Sequence, residues 1–188
     1  MDIVSTQQQN KIHPHKFSLW VALVSIIMMF AGLTSAYIVK SNLAGWINIE
    51  IPNIFWLSTA IIVSSSLTMQ LALRAFKQRE RQQYRSWLTV TLVLGIGFII
   101  CQYIGFNILW NHGVVFEGAS AGQFLYVIAG LHALHILGGI IALLVMVLKS
   151  YFGKVKSYNT VPVEVMATYW HFVDILWIYL LVFFTLVR

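Results

Sequence analysis

Charge is what this sequence has least of. Only 10% of its 188 residues are Asp, Glu, Lys or Arg, while 59% are hydrophobic. Ordinary soluble domains carry about 25% charged residues. So little charge cannot clothe a soluble globule of this size, which excludes a soluble enzyme, a disordered tail and a nucleic-acid binder. The chain has one cysteine, Cys101, inside an apolar run. That excludes an internal disulfide and a Cys-rich zinc or iron–sulfur site, and Cys101 reads as a small core residue. Three prolines leave helices few breaks. Acidic residues number 6 against 12 Lys and Arg, a formal charge of +6. The basic residues stand between long apolar runs, which is a pattern of membrane topology and not of nucleic-acid binding.

A spanning helix needs about 20 predominantly apolar residues. Five stretches qualify, at about 17–39, 52–73, 87–109, 123–148 and 167–187. The expected fold is all-α: a polytopic membrane protein built as one five-helix domain, 1–188. The connections are short, so successive helices are expected to be antiparallel neighbours. No fixed-period repeat marks an inverted-repeat transporter. Lys11, Lys16, Arg74, Lys77, Arg79, Arg81, Arg85, Lys149, Lys154 and Lys156 fall on one side, Lys40 and Arg188 on the other. The excess predicts a cytoplasmic N-terminus and an outside C-terminus. Thr34-Ser35-Ala36 resembles a cleavage site, but the apolar core before it is too long for a signal peptide, so the first span reads as uncleaved.

Small residues let helix backbones approach. Gly97, Cys101 and Gly105 recur every four residues on the third span, and Ala60, Ser64, Thr68 and Ala72 on the second. Both sets read as packing ridges.

Ionisable groups at membrane depth are costly and are functional candidates by default. The fourth span carries His132 and His135, the fifth His171 and Asp174. Each pair is spaced three apart and shares a helix face. Neighbouring helices bring two such faces together, and Trp170 and Trp177 flank Asp174 with indole N–H donors. Three readings follow from the residues. Three imidazoles and a carboxylate match zinc, iron or manganese ligation. One His from each helix suits the axial positions of a haem. A buried hydrogen-bonded cluster joining two helices needs no ligand, and there Asp174 accepts from His171 or the tryptophans. A proton relay is a fourth use of the same groups. His112 and Glu117 fall in an outer connection and read as solvated. No P-loop, dinucleotide-binding glycine pattern or nucleophile elbow is present.

The segment Tyr169-Trp170-His171-Phe172-Val173-Asp174-Ile175-Leu176-Trp177 resembles the last-helix signature of subunit III of the haem–copper oxidases, close to YWHFVDxxW. Glu164 stands seven residues before His171, where that family also carries a glutamate. Gly130-Leu131-His132-Ala133-Leu134-His135-Ile136-Leu137-Gly138-Gly139 is similar to its GFHGLHVxxG segment. Met69-Gln70-Leu71-Ala72, the Gln102 region and Phe30-Ala31-Gly32 fit more weakly. The resemblance covers essentially the whole chain.

The resemblance implies a non-catalytic subunit of a proton-pumping terminal oxidase that reduces oxygen to water. It implies no haem, copper or other metal on this chain; haem and copper belong to the partners, subunits I and II. It implies contact mainly with subunit I, bound phospholipid, a bacterial cytoplasmic membrane and support of proton uptake. The His–Asp cluster is then structural. The family's long form has seven spans, and the first two have no counterpart here, so part of its lipid cleft is lacking. Ile26 stands where the family places a buried glutamate, and Gly105 where some relatives carry an acidic residue. These departures leave a reduced part in proton handling. A quinol oxidase subunit III and an accessory protein of nitric oxide reduction are variants of the same reading. An autonomous haem or metal protein is the alternative of another class.

Overall fold

The computed structural model describes residues 14–41, 52–112, 120–152 and 160–187. Lys11, Lys154, Lys156, Glu117 and Arg188 lie outside the described residues. Five helices follow in order: α1 (Pro14–Ser41), α2 (Ile54–Lys77), α3 (Arg81–Asn111), α4 (Ser120–Phe152) and α5 (Val161–Leu186). All five are long and apolar enough to cross a membrane. Most ends overrun the predicted spans, because polar stretches such as Arg81–Ser86 of α3 continue the helix, while α2 begins at Ile54 and α5 ends at Leu186, just inside them.

The turn between α2 and α3 is tight. Glu80 N–H bonds the Ala75 carbonyl and Arg79 N–H bonds the Phe76 carbonyl, both closing the end of α2 in a Schellman arrangement. Arg79 takes the left-handed position, φ 63°, that glycine usually fills. The resulting hairpin is the most extensive helix pair in the molecule. Its two seams follow alternating steps of three and four. On α3 the buried residues include Tyr84, Leu88, Thr91, Gly95, Phe98, Gln102, Gly105 and Leu109. On α2 they include Phe55, Ser58, Ile62, Ser65, Met69 and Ala72. That 3.5-residue period is the mark of helices wound closely side by side.

The expected ridges are corrected here. A four-residue step advances about 40° around a helix, so it leaves a straight seam within two turns. Ala60 and Ser64 are exposed, and Gly97 has open space where a Cβ would stand. Cys101 is half-buried. Gly105 alone of its trio is a close approach: a Cβ there would meet Phe55 Cζ at 2.8 Å. Gly95, which the four-residue ridge missed, is the other.

The neighbours of α1 also depart from expectation. Among the described residues α1 packs on α4 and α5 and not on α2, its neighbour in sequence. The link from Ser41 to Ile54 is long enough to carry the chain to the far side of the bundle. Helix α5 touches α1, α2 and α4 and is the most enclosed of the five. Phe30 and Tyr37 anchor α1: Phe30 edges onto both His132 and His135, and Tyr37 onto Phe183 and Phe184.

Candidate functional site

The aromatic and polar side chains of the α5 motif point in three directions. Trp170 is fully buried, and its Nε1–H donates to Ser65 Oγ of α2 at 3.1 Å. Its six-membered ring lies between two glycines: a Cβ on Gly95 of α3 or on Gly139 of α4 would come within 3.0 Å of it. One indole therefore meets three helices. One heptad on, Trp177 donates to Thr59 Oγ1 of α2 at 3.0 Å and stacks on His132, with ring centroids 5.4 Å apart. Tyr169 reaches the other way and donates to the His135 carbonyl of α4 at 2.8 Å. Both tryptophan N–H groups are thus spent on α2 hydroxyls, and neither serves Asp174.

His171 faces α2 too. Its Nδ1 meets Ser66 Oγ at 2.5 Å and its Nε2 meets Gln70 Oε1 at 3.2 Å. His135 turns its Nδ1 to the Leu131 carbonyl of its own helix at 2.7 Å. The buried His132 is held by ring contacts, with neither nitrogen partnered among the described residues. Asp174 is buried beside the Ser66 hydroxyl, which already meets His171, and neither carboxyl oxygen has a well-formed hydrogen bond among the described residues. The four side chains therefore do not meet. His171 and Asp174 look toward α2, His171 onto Ser66 and Gln70 and Asp174 beside Ser66, about 100° and 40° round the helix from Trp170. His132 looks into the core and His135 toward α1. No group of three His, Cys, Asp or Glu among the described residues is placed to hold a metal ion. The imidazoles of α4 and α5 do not face one another as haem ligands would.

Gln102 of α3 donates to Ser58 of α2 at 3.2 Å, and its Oε1 has no partner among the described residues. Thr68 and Thr91 link the same helices at 2.8 Å. At the end of the bundle where α1 and α5 begin, Glu164 accepts from Lys16 of α1 at 2.7 Å and lies 3.0 Å from Lys77 of α2. One carboxylate ties three helices. The structure leaves His112 exposed.

Sequence reasoning missed the partners on α2. Ser58 and Ser65, and likewise Thr59 and Ser66, are seven residues apart. That heptad spacing was the available signal: it places two hydroxyl rows on one side of α2, opposite the seven-residue step from Trp170 to Trp177.

A five-helix membrane bundle whose last helix is pinned by aromatic and hydroxyl side chains is the class that fold and site define. Residues 13–187 match the family model described as cytochrome c oxidase subunit III. The chain is 30% identical over 162 residues to the probable cytochrome c oxidase subunit 3 of Mycobacterium leprae, covering 84% of this chain and 80% of that one. It is 27% identical to the cytochrome c oxidase subunit 3 of Bacillus sp. PS3, covering 86% and 80%. It is 29% identical to the cytochrome bo(3) ubiquinol oxidase subunit 3 of Pseudomonas aeruginosa, covering 86% and 79%. The chain belongs to the cytochrome c oxidase subunit III family and is a subunit III of a haem–copper oxidase.

Proposed function

We propose that this subunit is non-catalytic and serves to hold the haem- and copper-bearing subunits I and II in working order, with subunit I its main contact. The observation that carries this reading is the use of the last-helix motif. Trp170, Trp177, Tyr169 and His171 all spend their polar atoms on neighbouring helices of the same chain. They tie the helices of this chain to one another, and in this reading haem and copper reside on the partner subunits. The membrane is the bacterial cytoplasmic membrane, with the N-terminus inside, in keeping with the Lys and Arg excess on that side. Support of proton uptake is at most reduced, since Ile26 packs against the core where the family carries a glutamate. Phospholipid shares the apolar surface with the partner subunits. The electron donor is chosen elsewhere in the complex.

The test is the oxidase prepared with and without this chain. The depleted enzyme should keep its full haem content and its initial rate of oxygen reduction, and then lose activity sooner during turnover. Loss of haem together with the chain, or an immediate loss of all activity, contradicts the reading.

A further inference from the structure

The hairpin of α2 and α3 and the last turn of α4 enclose a cavity of about 40 Å³. One water needs about 10–15 Å³ by this measure, so the space suits a few waters or one tetrahedral oxyanion. Arg79, Arg81 and Arg85 line it, with Tyr84 and Ser150. Among the described residues Glu80 is the one carboxylate on its wall. Glu164, the other described carboxylate at this end of the bundle, is held by Lys16 and Lys77.

The charge on this wall is placed against its helix. The N-terminus of α3 is already the positive end of a 31-residue helix. Its first turn holds no acidic residue, and Glu80 at the N-cap makes no side-chain bond to it. Cations at such an end repel the helix dipole and one another, and an anion bound there offsets both. Arg79 holds a left-handed conformation that side chains rarely adopt. Arg85 is fixed from the other side, its guanidinium lying 5.3 Å from the ring centroid of Tyr151 on α4. Next to Tyr151 is Ser150, whose hydroxyl is orphaned. Ser18, Ser25, Ser64 and Ser86 each bond the carbonyl four residues back in their own helices. Ser150 lines the cavity instead, and its Oγ is shut off from solvent with no partner among the described residues. A buried hydroxyl is ordinarily met by a partner, and one facing a cationic cavity is met by an anion's oxygen.

We propose that this cavity binds a phosphate group, with Arg85 and the Ser150 hydroxyl donating to its oxygens and Arg79 and Arg81 supplying charge. Guanidinium forks match phosphate oxygens with paired N–H donors. The cavity lies at the polar start of α3, Arg81–Ser86, with Tyr84 and Trp87 at the boundary of the apolar stretch. At headgroup depth, both an anionic phospholipid and free phosphate from the aqueous side can reach it. The apolar faces of the bundle accept any acyl chain. This site selects an anionic phosphate, since the cationic half of a zwitterionic headgroup would meet three arginines. The inference depends on the fold and not on the subunit's part in oxygen reduction.

The experiment uses the whole purified oxidase in two arms. In the first, phosphatidylcholine nanodiscs carry a minor share of phosphatidylglycerol with a photoreactive diazirine on its headgroup, and labelled residues are mapped by mass spectrometry. In the second, detergent-washed oxidase is dialysed against radiolabelled inorganic phosphate. Label confined to residues 79–85 and 148–152 supports the site and assigns it to a lipid headgroup. Saturable phosphate binding without that label supports it and assigns it to free phosphate. In whichever arm binds, Arg85→Gln should weaken binding about ten- to a hundredfold, the usual worth of a hydrogen bond to a charged group. Ser150→Ala, which removes a neutral donor, should weaken it about three- to tenfold. Arg74→Gln removes the same charge from an exposed position off the cavity wall, and should change binding by less than about twofold. Each variant is measured in oxidase that retains the subunit, so misfolding does not enter. Equal losses in all three variants show a diffuse charge effect and overturn the site. Absence of both the headgroup label at these segments and saturable phosphate binding overturns it too.

Discussion

The six-membered ring of Trp170 occupies the space a side chain on Gly95 would need, with Cη2 only 3.0 Å from the position of a Cβ. The same ring bears on Gly139 from the opposite side. Trp170 is fully buried and tethered to Ser65, so it has little room to yield. Gly95→Ala and Gly139→Ala should each lower stability by about 1–3 kcal/mol, the usual cost of overfilling a packed core. Gly97→Ala and Gly138→Ala, both facing open space, should leave it unchanged. Thermal unfolding of the four variants in detergent checks the contrast. Equal behaviour of all four would contradict the packing described here.

Gly105 makes the same point from α3 to α2. A Cβ there meets the ring of Phe55, which is itself wedged against Phe106 and Trp177. Gly105→Ala should therefore destabilise, and Phe55→Leu should rescue part of the loss when the two are combined. The double-mutant cycle reads the coupling directly. Strict additivity would show that the two residues do not touch.

Asp174 behaves differently from what its motif suggests. The sequence reading pairs it with His171 or the tryptophans, but those groups bond Ser66, Gln70, Ser65 and Thr59 instead. Removing its charge at constant size thus disturbs at most a contact with the Ser66 hydroxyl, which is already engaged by His171. Asp174→Asn should fold and melt at a temperature equal to or above that of the parent. A fall of several degrees would show that the carboxylate has a cation or donor that this arrangement lacks.

Glu164 joins Lys16 and Lys77 where both lysines are substantially exposed. Exposed ion pairs contribute about 0–1 kcal/mol each and are screened by salt. Glu164→Gln should lower the melting temperature slightly at low ionic strength and have no effect at high ionic strength. A salt-independent loss would point to a packing role.

Much of this molecule is legible in the sequence because bilayer thickness sets a length that apolar runs must meet. Five runs gave five helices, in place to within a few residues at most ends. The motif around Trp170 and Asp174 was visible because polar groups inside such runs are rare. What those groups touch was not visible. A four-residue glycine ridge through Gly97 looked natural, but the helices wind on a 3.5-residue period that selects Gly95 and Gly105. The placement of α1 against α4 and α5 was hidden for another reason. Neighbourhood in sequence fixes neighbourhood in space only when the connection is short, as at Arg79, and the link from Ser41 to Ile54 is not. The hydroxyl partners on α2 escaped notice because serine and threonine are common in membrane helices and carry no charge to draw the eye.

The most direct measurement is affinity purification of this chain from its own membranes in mild detergent, with mass spectrometry and a visible spectrum of what comes with it. Haem–copper subunits I and II at near-equal stoichiometry, with all haem assigned to them, is the predicted result. A folded chain that arrives alone, or one that carries haem or metal without those partners, would contradict the account.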